Sequence, residues 1–202
     1  SSTGNIIIEQ ENGETISAKS CVIATGGTSR PETGSTGEGF KWLKYMGHTI
    51  IENNAALVPI ALHDYWAKQL GGVTLSDIKL TTYQNNKKQD SRKGKLLFTH
   101  FGVSGPTILN MSKHVGELLE NDEVTIMLDV FPSLDHTELK QKIQTLLIGE
   151  SNKKIKNTIS KCVPAALGNA VLELCGIDSE TFNHSVSTEQ RKKLVSFLKA
   201  IP

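Results

Sequence analysis

The segment Cys21–Phe40, CVIATGGTSRPETGSTGEGF, decides how this chain is read. An apolar run, Cys21-Val22-Ile23-Ala24, stops at Thr25-Gly26-Gly27, and a second glycine group follows at Gly34, Gly37 and Gly39. A buried strand that ends in small residues lets the backbone approach a ligand or another segment closely. In doubly wound α/β domains that strand end is where cofactors sit. The GxGxxG fingerprint that should precede it in a dinucleotide-binding domain occurs nowhere in the chain. The sequence reads as part of a cofactor enzyme without its first cofactor half.

Composition sets few exclusions beyond the ordinary. The 202 residues are 38% hydrophobic and 21% charged with net charge +1, which gives no global electrostatic case for nucleic acid or an anionic membrane. No apolar run is long enough to span a bilayer, and no basic segment leads into an apolar one as in a secretory signal. Cys21, Cys162 and Cys175 lie in apolar contexts without a CxxC pair, the pattern of reduced, buried thiols in a cytoplasmic protein. The first residue is not Met and the last follows directly on a helical pattern, so the chain is read as an internal piece of a longer polypeptide.

Working outward from the glycine segment, Asn5–Glu9 and Thr15–Ala18 flank Asn12-Gly13, a strong hairpin signal. Ser20–Ala24 reads as a third strand covered on both faces, and Glu38–Met46 as a short helix capped by Gly47. From Ala55 onward short strands are expected at Leu57–Ile60, Ile78–Tyr83, Leu96–Phe98 and Glu123–Val130. They suggest an antiparallel barrel or sandwich, with the proline-bearing first strand at an edge. Asn85–Lys95 reads as a polar, basic loop, and Pro106 opens a helix to about His114. After Pro132 the chain turns helical. Asp135 with Glu138, and Ser187 with Gln190, form capping-box patterns, and Gly176 closes a helix over Ala165–Cys175. The expected class is α+β in three units: 1–54 as the edge of an FAD-type α/β domain, 55–134 as a β-barrel-like unit, and 135–202 as a helical unit.

The motifs carry less chemistry than their glycine content suggests. From Ala24-Thr25-Gly26-Gly27 alone, a tight strand-to-loop exit explains the residues as well as a phosphate or ring contact does. Gly34-Ser35-Thr36-Gly37-Glu38-Gly39 is neither a dinucleotide fingerprint nor a Walker loop, and favours a flexible loop leading into a helix. Gly102-Val103-Ser104-Gly105-Pro106 fails the GxSxG elbow at proline, so Ser104 reads as approaching or capping the following helix rather than as a nucleophile. No histidine pairs with another at helical spacing or with cysteine at zinc spacing, so no metal site is expected. His100 is the best polar candidate, against the plainer reading of a hydrogen-bonded residue at a strand end. Trp42, Tyr45, Tyr65 and Trp66 suit packing positions at least as well as ligand stacking. The lysines of the basic loop lack interleaved aromatics, which weakens a nucleic-acid reading.

Three ordered segments, ATGGTSRPETGSTGEGF, GHTIIENNAALVPI and GKLLFTHFGVSGPTILNMS, closely resemble the bacterial YhiN/BaiN-type flavoproteins. These are NAD(P)/FAD-dependent, aminoacetone-oxidase-like oxidoreductases. PAALGNAVLELCGI also resembles the corresponding family stretch, more weakly. The resemblance implies FAD held on a split domain, with a barrel-like and a helical unit inserted between its halves. This chain matches the end of the first half and most of the insert. By resemblance, Thr25, Gly26 and Gly27, with Gly34, Ser35, Thr36 and Gly37, lie near the FAD. Thr99, His100, Gly102, Ser104 and Gly105 match the THFGxSGP signature, which either lines the substrate side of the flavin or shapes the barrel-to-helix turn.

The resemblance further implies electron transfer, as hydride, through the flavin. NAD(P)H is a possible donor, with a small-molecule substrate and the rest of the same polypeptide as partners. Neither nucleic acid nor membrane is expected as a partner. The piece alone is expected to bind FAD poorly and to be inactive. The competing reading is a stand-alone partner-binding module whose glycine loops are only turns.

Overall fold

The computed structural model describes residues 4–51 and 57–202, and the chain divides into two compact units, residues 1–53 and 54–202. The part of the second resemblance segment at 52–56, and the start of the barrel-like unit at Ala55, lie outside the described residues.

In the first unit β1 (Ile6–Glu9) and β2 (Thr15–Ala18) form an antiparallel hairpin. The Gly13 N–H donates to the Gln10 carbonyl at 2.9 Å and the Gln10 N–H to the Glu14 carbonyl at 2.8 Å. With Gly13 at φ +84°, this is the three-residue turn whose last position needs a left-handed backbone. The third strand expected at Ser20–Ala24 does not form. Residues 21–27 run without regular structure, Cys21 is exposed, and Val22 is 87% exposed. A strand exists only against a neighbour, and among the described residues β1 and β2 pair only with each other. Cys21 is therefore not the buried thiol its apolar context suggested, whereas Cys175 is buried and Cys162 half-buried. A 3₁₀ turn, Pro31–Thr33, precedes α1 (Glu38–Tyr45). At its end the His48 N–H donates to Leu43 and the Gly47 N–H to Lys44, with Gly47 at φ +91°, a Schellman closure. Trp42 and Tyr45 on this helix are exposed, not packed.

The second unit begins with β3 (Ile60–Ala61) and α2 (Tyr65–Lys68), a short helix without a clear sequence signal. Next come β4 (Thr74–Gln84), β5 (Lys87–Thr99), β6 (Gly102–Ser104), α3 (Pro106–Leu119) and β7 (Thr125–Asp129). The strands make a curled antiparallel half-barrel in the order β3-β6-β5-β4-β7, with the proline-preceded β3 at one edge. The basic stretch read as a loop is mostly strand. Only Asn85-Asn86 turns, at φ 52° and 61°, the positive pair that a two-residue hairpin requires.

One extra residue sets which side chains of β4 face inward. Leu75 pairs with Leu96, and Ile78 with Gly94, so β4 carries a bulge at Ser76-Asp77, where Asp77 sits at φ 54°. Before it Leu75 faces inward; after it Ile78, Leu80, Thr82 and Gln84 do. The inner face, with Leu96, Phe98 and Val103, packs against Ile108, Met111 and Val115 of α3. Gln84 closes the buried end, its Nε2 donating to the Leu118 and Asp122 carbonyls at 2.7 and 2.9 Å.

Four helices complete the unit: α4 (His136–Gly149), α5 (Ile155–Ile159), α6 (Ala165–Leu174) and α7 (Thr188–Lys199). Both capping boxes form, Asp135 with Glu138 and Ser187 with Gln190. Leu139, Ile143, Ile159, Leu167, Leu172 and Leu194 join one core with the sheet. Ile201 bridges Leu128 on β7, with N–H to carbonyl distances of 3.0 and 2.8 Å. Lys199 Nζ meets the Asp129 carboxylate at 2.7 Å and donates to the Phe131 and Leu134 carbonyls. No helix among the described residues is long and apolar enough to cross a membrane.

A Cβ on Gly102 would fall inside contact distance of the Ile60 carbonyl and 2.9 Å from the Ala61 Cα, whereas one on Gly116 in α3 would meet nothing. Gly102→Ala is therefore expected to cost roughly 1–3 kcal/mol by overpacking. Gly116→Ala should stabilise by ~0.8–1 kcal/mol through helix propensity. Urea unfolding of the two variants checks both signs.

Candidate functional site

The two glycine groups of the first unit fold onto each other. A Cβ on Gly26, at φ +75°, would lie 3.3 Å from the Ser35 Cβ, and one on Gly37 would lie 2.7 Å from the Thr28 Cγ2. Gly39 stands so close to the Thr25 hydroxyl that any side chain would strike it. These glycines thus serve the packing of the loop against the start of α1, where Gly37 is the N-cap at φ +79°. Gly34 differs: at φ +100° it faces open space. The Ser35 hydroxyl accepts from the Arg30 N–H at 3.1 Å and donates to the Arg30 carbonyl at 2.8 Å, so it closes the loop on itself. Thr25, Gly26 and Thr36 are exposed and Gly27 half-exposed, beside the exposed Val22 and Ile23.

The second residue set forms a corner of the half-barrel. Thr99 ends β5 and its Oγ1 accepts from the Gly102 N–H at 3.1 Å, tightening the turn into β6. Gly102 lets β6 lie against β3, and Gly105, at φ +99°, would put a Cβ 3.1 Å from the Leu97 N. Gly105, not Ser104, is the N-cap of α3; Ser104 lies in β6 opposite Leu97. His100 is exposed, with its ring edge-on to Phe101 at 5.0 Å. In this corner Thr99, Gly102 and Gly105 shape a strand-turn-strand-helix path, and His100 is the side chain left facing solvent.

A cavity of about 480 Å³ opens between the two edges of the half-barrel. Phe98, Val103, Ile108 and Ile126 line its apolar floor, and His63, Asp64 and Glu123 stand among its polar lining residues. Trp66 packs edge-on to Phe98 at 6.1 Å, whereas Tyr65 is 73% exposed. Sequence reasoning missed His63 and Asp64, which precede a helix too short to show a periodic signal.

This combination of a half-barrel sheet and a packed helical set is matched over residues 54–202 by the family described as HI0933-like protein barrel and H2TH domain. The chain belongs to the HI0933-like family. It is 26% identical over 189 residues to a ribosomal RNA dihydrouridine synthase of Escherichia coli, covering 93% of this chain and 44% of that protein. A ribosomal RNA dihydrouridine synthase of Haemophilus influenzae is 26% identical over 191 residues, with 94% and 44% coverage. A 3-dehydro-bile acid delta(4,6)-reductase of Clostridium scindens is 25% identical over 137 residues, with 67% and 33% coverage. The chain thus spans less than half the length of these relatives.

The helices of the HI0933-like domain hold a polar knot that the sequence did not reveal, because its members share no motif spacing and Asn183 joins it from 33 residues away. Glu150 accepts from Lys153 Nζ at 2.8 Å, from Lys161 Nζ and from the Thr158 hydroxyl at 3.2 Å. Asn183, buried, donates to the Thr158 Oγ1 and the Glu150 carbonyl at 2.7 and 2.8 Å, and its Oδ1 has no partner among the described residues. Nearby, Glu180 accepts from Lys154 and Lys156. Hydrogen bonds from Lys153 and Lys161 hold the Glu150 carboxyl down to about 2, and those from Lys154 and Lys156 do the same for Glu180.

Both carboxylates titrate below their ordinary value in the folded chain. Their stabilising contribution is therefore complete above the ordinary carboxylate range and disappears as pH falls through it toward about 2. Glu150→Gln combined with Glu180→Gln should lower Tm near neutral pH and flatten the fall in Tm between about pH 5 and pH 2. Calorimetric scans across that range read the difference; parallel wild-type and variant profiles would contradict it.

Proposed function

We propose that this chain is the barrel-and-helical portion, with a short edge of the cofactor domain, of an FAD-dependent reductase that delivers hydride to a carbon–carbon double bond in a ring. The carrying observation is the family match over residues 54–202 together with what the relatives' names have in common. Dihydrouridine is uridine with its ring double bond reduced, and a delta(4,6)-reductase acts on steroid ring double bonds. Two different substrates thus share one reaction type, which belongs to the cofactor more than to the protein.

The glycine loop fits the rim of a flavin site. Val22 and Ile23 offer exposed apolar surface, while Gly26, Gly27 and Gly34 offer backbone without side chains. Thr25, Gly26, Gly27 and Gly34 would hold the edge of the group, and Ser35, Thr36 and the buried Gly37 would keep that loop in shape. FAD, when bound, supplies the relay of hydride from a reduced nicotinamide. An apolar run left without a strand neighbour fits a place beside further polypeptide, which would carry the pyrophosphate contacts. In the second unit, the apolar cavity excludes water, and His63 and Asp64 provide groups that can orient a polar ring substituent.

The complete polypeptide should purify with the absorption bands of oxidised flavin and bleach with NADH or NADPH under anaerobic conditions. Gly26→Ala, which crowds Ser35 at a positive φ, should weaken FAD binding about tenfold, or ~1.4 kcal/mol, leaving the melting of the 54–202 unit unchanged. A complete polypeptide that holds no flavin overturns the reading in favour of a partner-binding module.

A further inference from the structure

The half-barrel leaves one edge of β7 only partly filled. The Leu128 N–H donates to the Ile201 carbonyl at 2.8 Å, the Ile201 N–H donates back to Leu128 at 3.0 Å, and the Val130 N–H donates to Leu198 at 3.0 Å. Backbone groups alternate in direction along a strand, so those of Leu128 point away from β4, and those of Ile126 and Val124 point the same way. On that side Ile126 and Val124 have no backbone partner among the described residues. A bare edge is ordinarily blunted by a lysine, a proline or a bulge. The run Val124-Thr125-Ile126-Met127-Leu128 has neither lysine nor proline, and the register against β4 is unbroken from Thr125 to Asp129.

Ile201 sets a register on this edge. Its pairing with Leu128 is antiparallel. Each further residue moves the partner back by one, so the second residue beyond Ile201 falls opposite Ile126 and the fourth opposite Val124. Directly opposite residues point to the same face, and Ile201 and Leu128 are both buried there. Pro202 suits this course. It falls opposite Met127, where the N–H points away from β7, so the missing donor takes no bond from the ladder. The apolar cavity of about 480 Å³ opens beneath this edge, and Val124, Ile126, Leu128, Ile201 and Pro202 all line it.

We propose that polypeptide beyond Pro202 runs as a further strand along β7 and roofs the cavity between β7 and β3. The occupant is a segment of the same chain. The register at Ile201 leads directly into it, and the chain spans less than half the length of its relatives, which have the residues to supply it. Strand addition gives position through backbone bonds and selectivity through alternate side chains. Every second side chain after Ile201 then faces the cavity, is apolar where it meets Ile126 and Val124, and sets the shape of the enclosed space. The inference goes beyond the reductase reading and does not depend on it, because strand pairing needs no flavin.

Two measurements on the complete polypeptide test this. In the unmutated protein the Ile126 amide should exchange with solvent deuterium as slowly as the paired amides of β4, whereas an amide on a free edge exchanges fast. The register is read by cross-linking. Cys21→Ser and Cys162→Ser remove background thiols, and Thr125→Cys places one on an exposed position. Its opposite number is the third residue beyond Ile201, in the close, non-hydrogen-bonded kind of pair whose Cα atoms stand about 4.5 Å apart, within disulfide range. Under mild oxidation a cysteine at that third position should join it within one chain. Cysteines at the second or fourth position face the other side of the strand and should not. Fast exchange at Ile126, a cross-link without this register, or one formed only between two copies of the chain overturns the inference. Flavin content read on the same samples keeps the two readings apart. A protein with the slow amide and the third-position cross-link but no flavin contradicts the reductase reading alone.

Discussion

The bulge at Ser76-Asp77 is the constraint on which the second unit depends. Side chains alternate along a strand, so one inserted residue exchanges the faces of everything beyond it. Leu75 and then Ile78, Leu80, Thr82 and Gln84 all face the core only because that residue is present. The same phase sends Lys79, Thr81 and Tyr83 outward. Asp77 accepts the left-handed backbone that the bulge imposes, at φ 54°, a conformation its short polar side chain tolerates better than a branched one would. On β4, core and presented surface are therefore two results of that one bulge, while a second register shift, between Thr82 and Tyr83, sets the pairing near the hairpin tip.

The sheet and the helices are joined at one end by a compact set of bonds. Lys199, at the close of α7, satisfies its ammonium with the Asp129 carboxylate and two carbonyls, and the side chains of that ion pair are only 12% and 15% exposed. Two residues later Ile201 pairs with Leu128. A charge this enclosed is stable only with its partners in place, which makes the pair a specific fastening rather than a general attraction. The lysine knot around Glu150 and Glu180 lies among the helices, and its lysines are more exposed than Lys199.

Features written in short windows were legible in the sequence. The capping boxes at Asp135 and Ser187, the Gly47 and Gly176 closures, the Asn12-Gly13 hairpin and the Pro106 helix start all depend on residues within a turn of one another. What depends on distant partners was not legible. Val22 and Ile23 look like a core strand by composition, but a strand without a neighbour has no ladder. Asn85–Lys95 looks like a loop by polarity, yet from Lys87 it runs as a strand paired with β4, and only Asn85-Asn86 turns. Tyr83 and Lys88 are five residues apart in sequence and adjacent in space only through the hairpin register. Of the candidate site residues, the glycines proved informative about backbone approach, while His63 and Asp64 beside the cavity carried no signal at all.

The alternation beyond the bulge can be measured directly. Single cysteines at positions 79 to 83, in the complete polypeptide with Cys21→Ser and Cys162→Ser to reduce background, would be challenged with a maleimide under native conditions. Rapid labelling at 79, 81 and 83 with protection at 80 and 82 is the predicted pattern. Labelling at 80 and 82 with protection at 79, 81 and 83 would contradict the assignment of both faces.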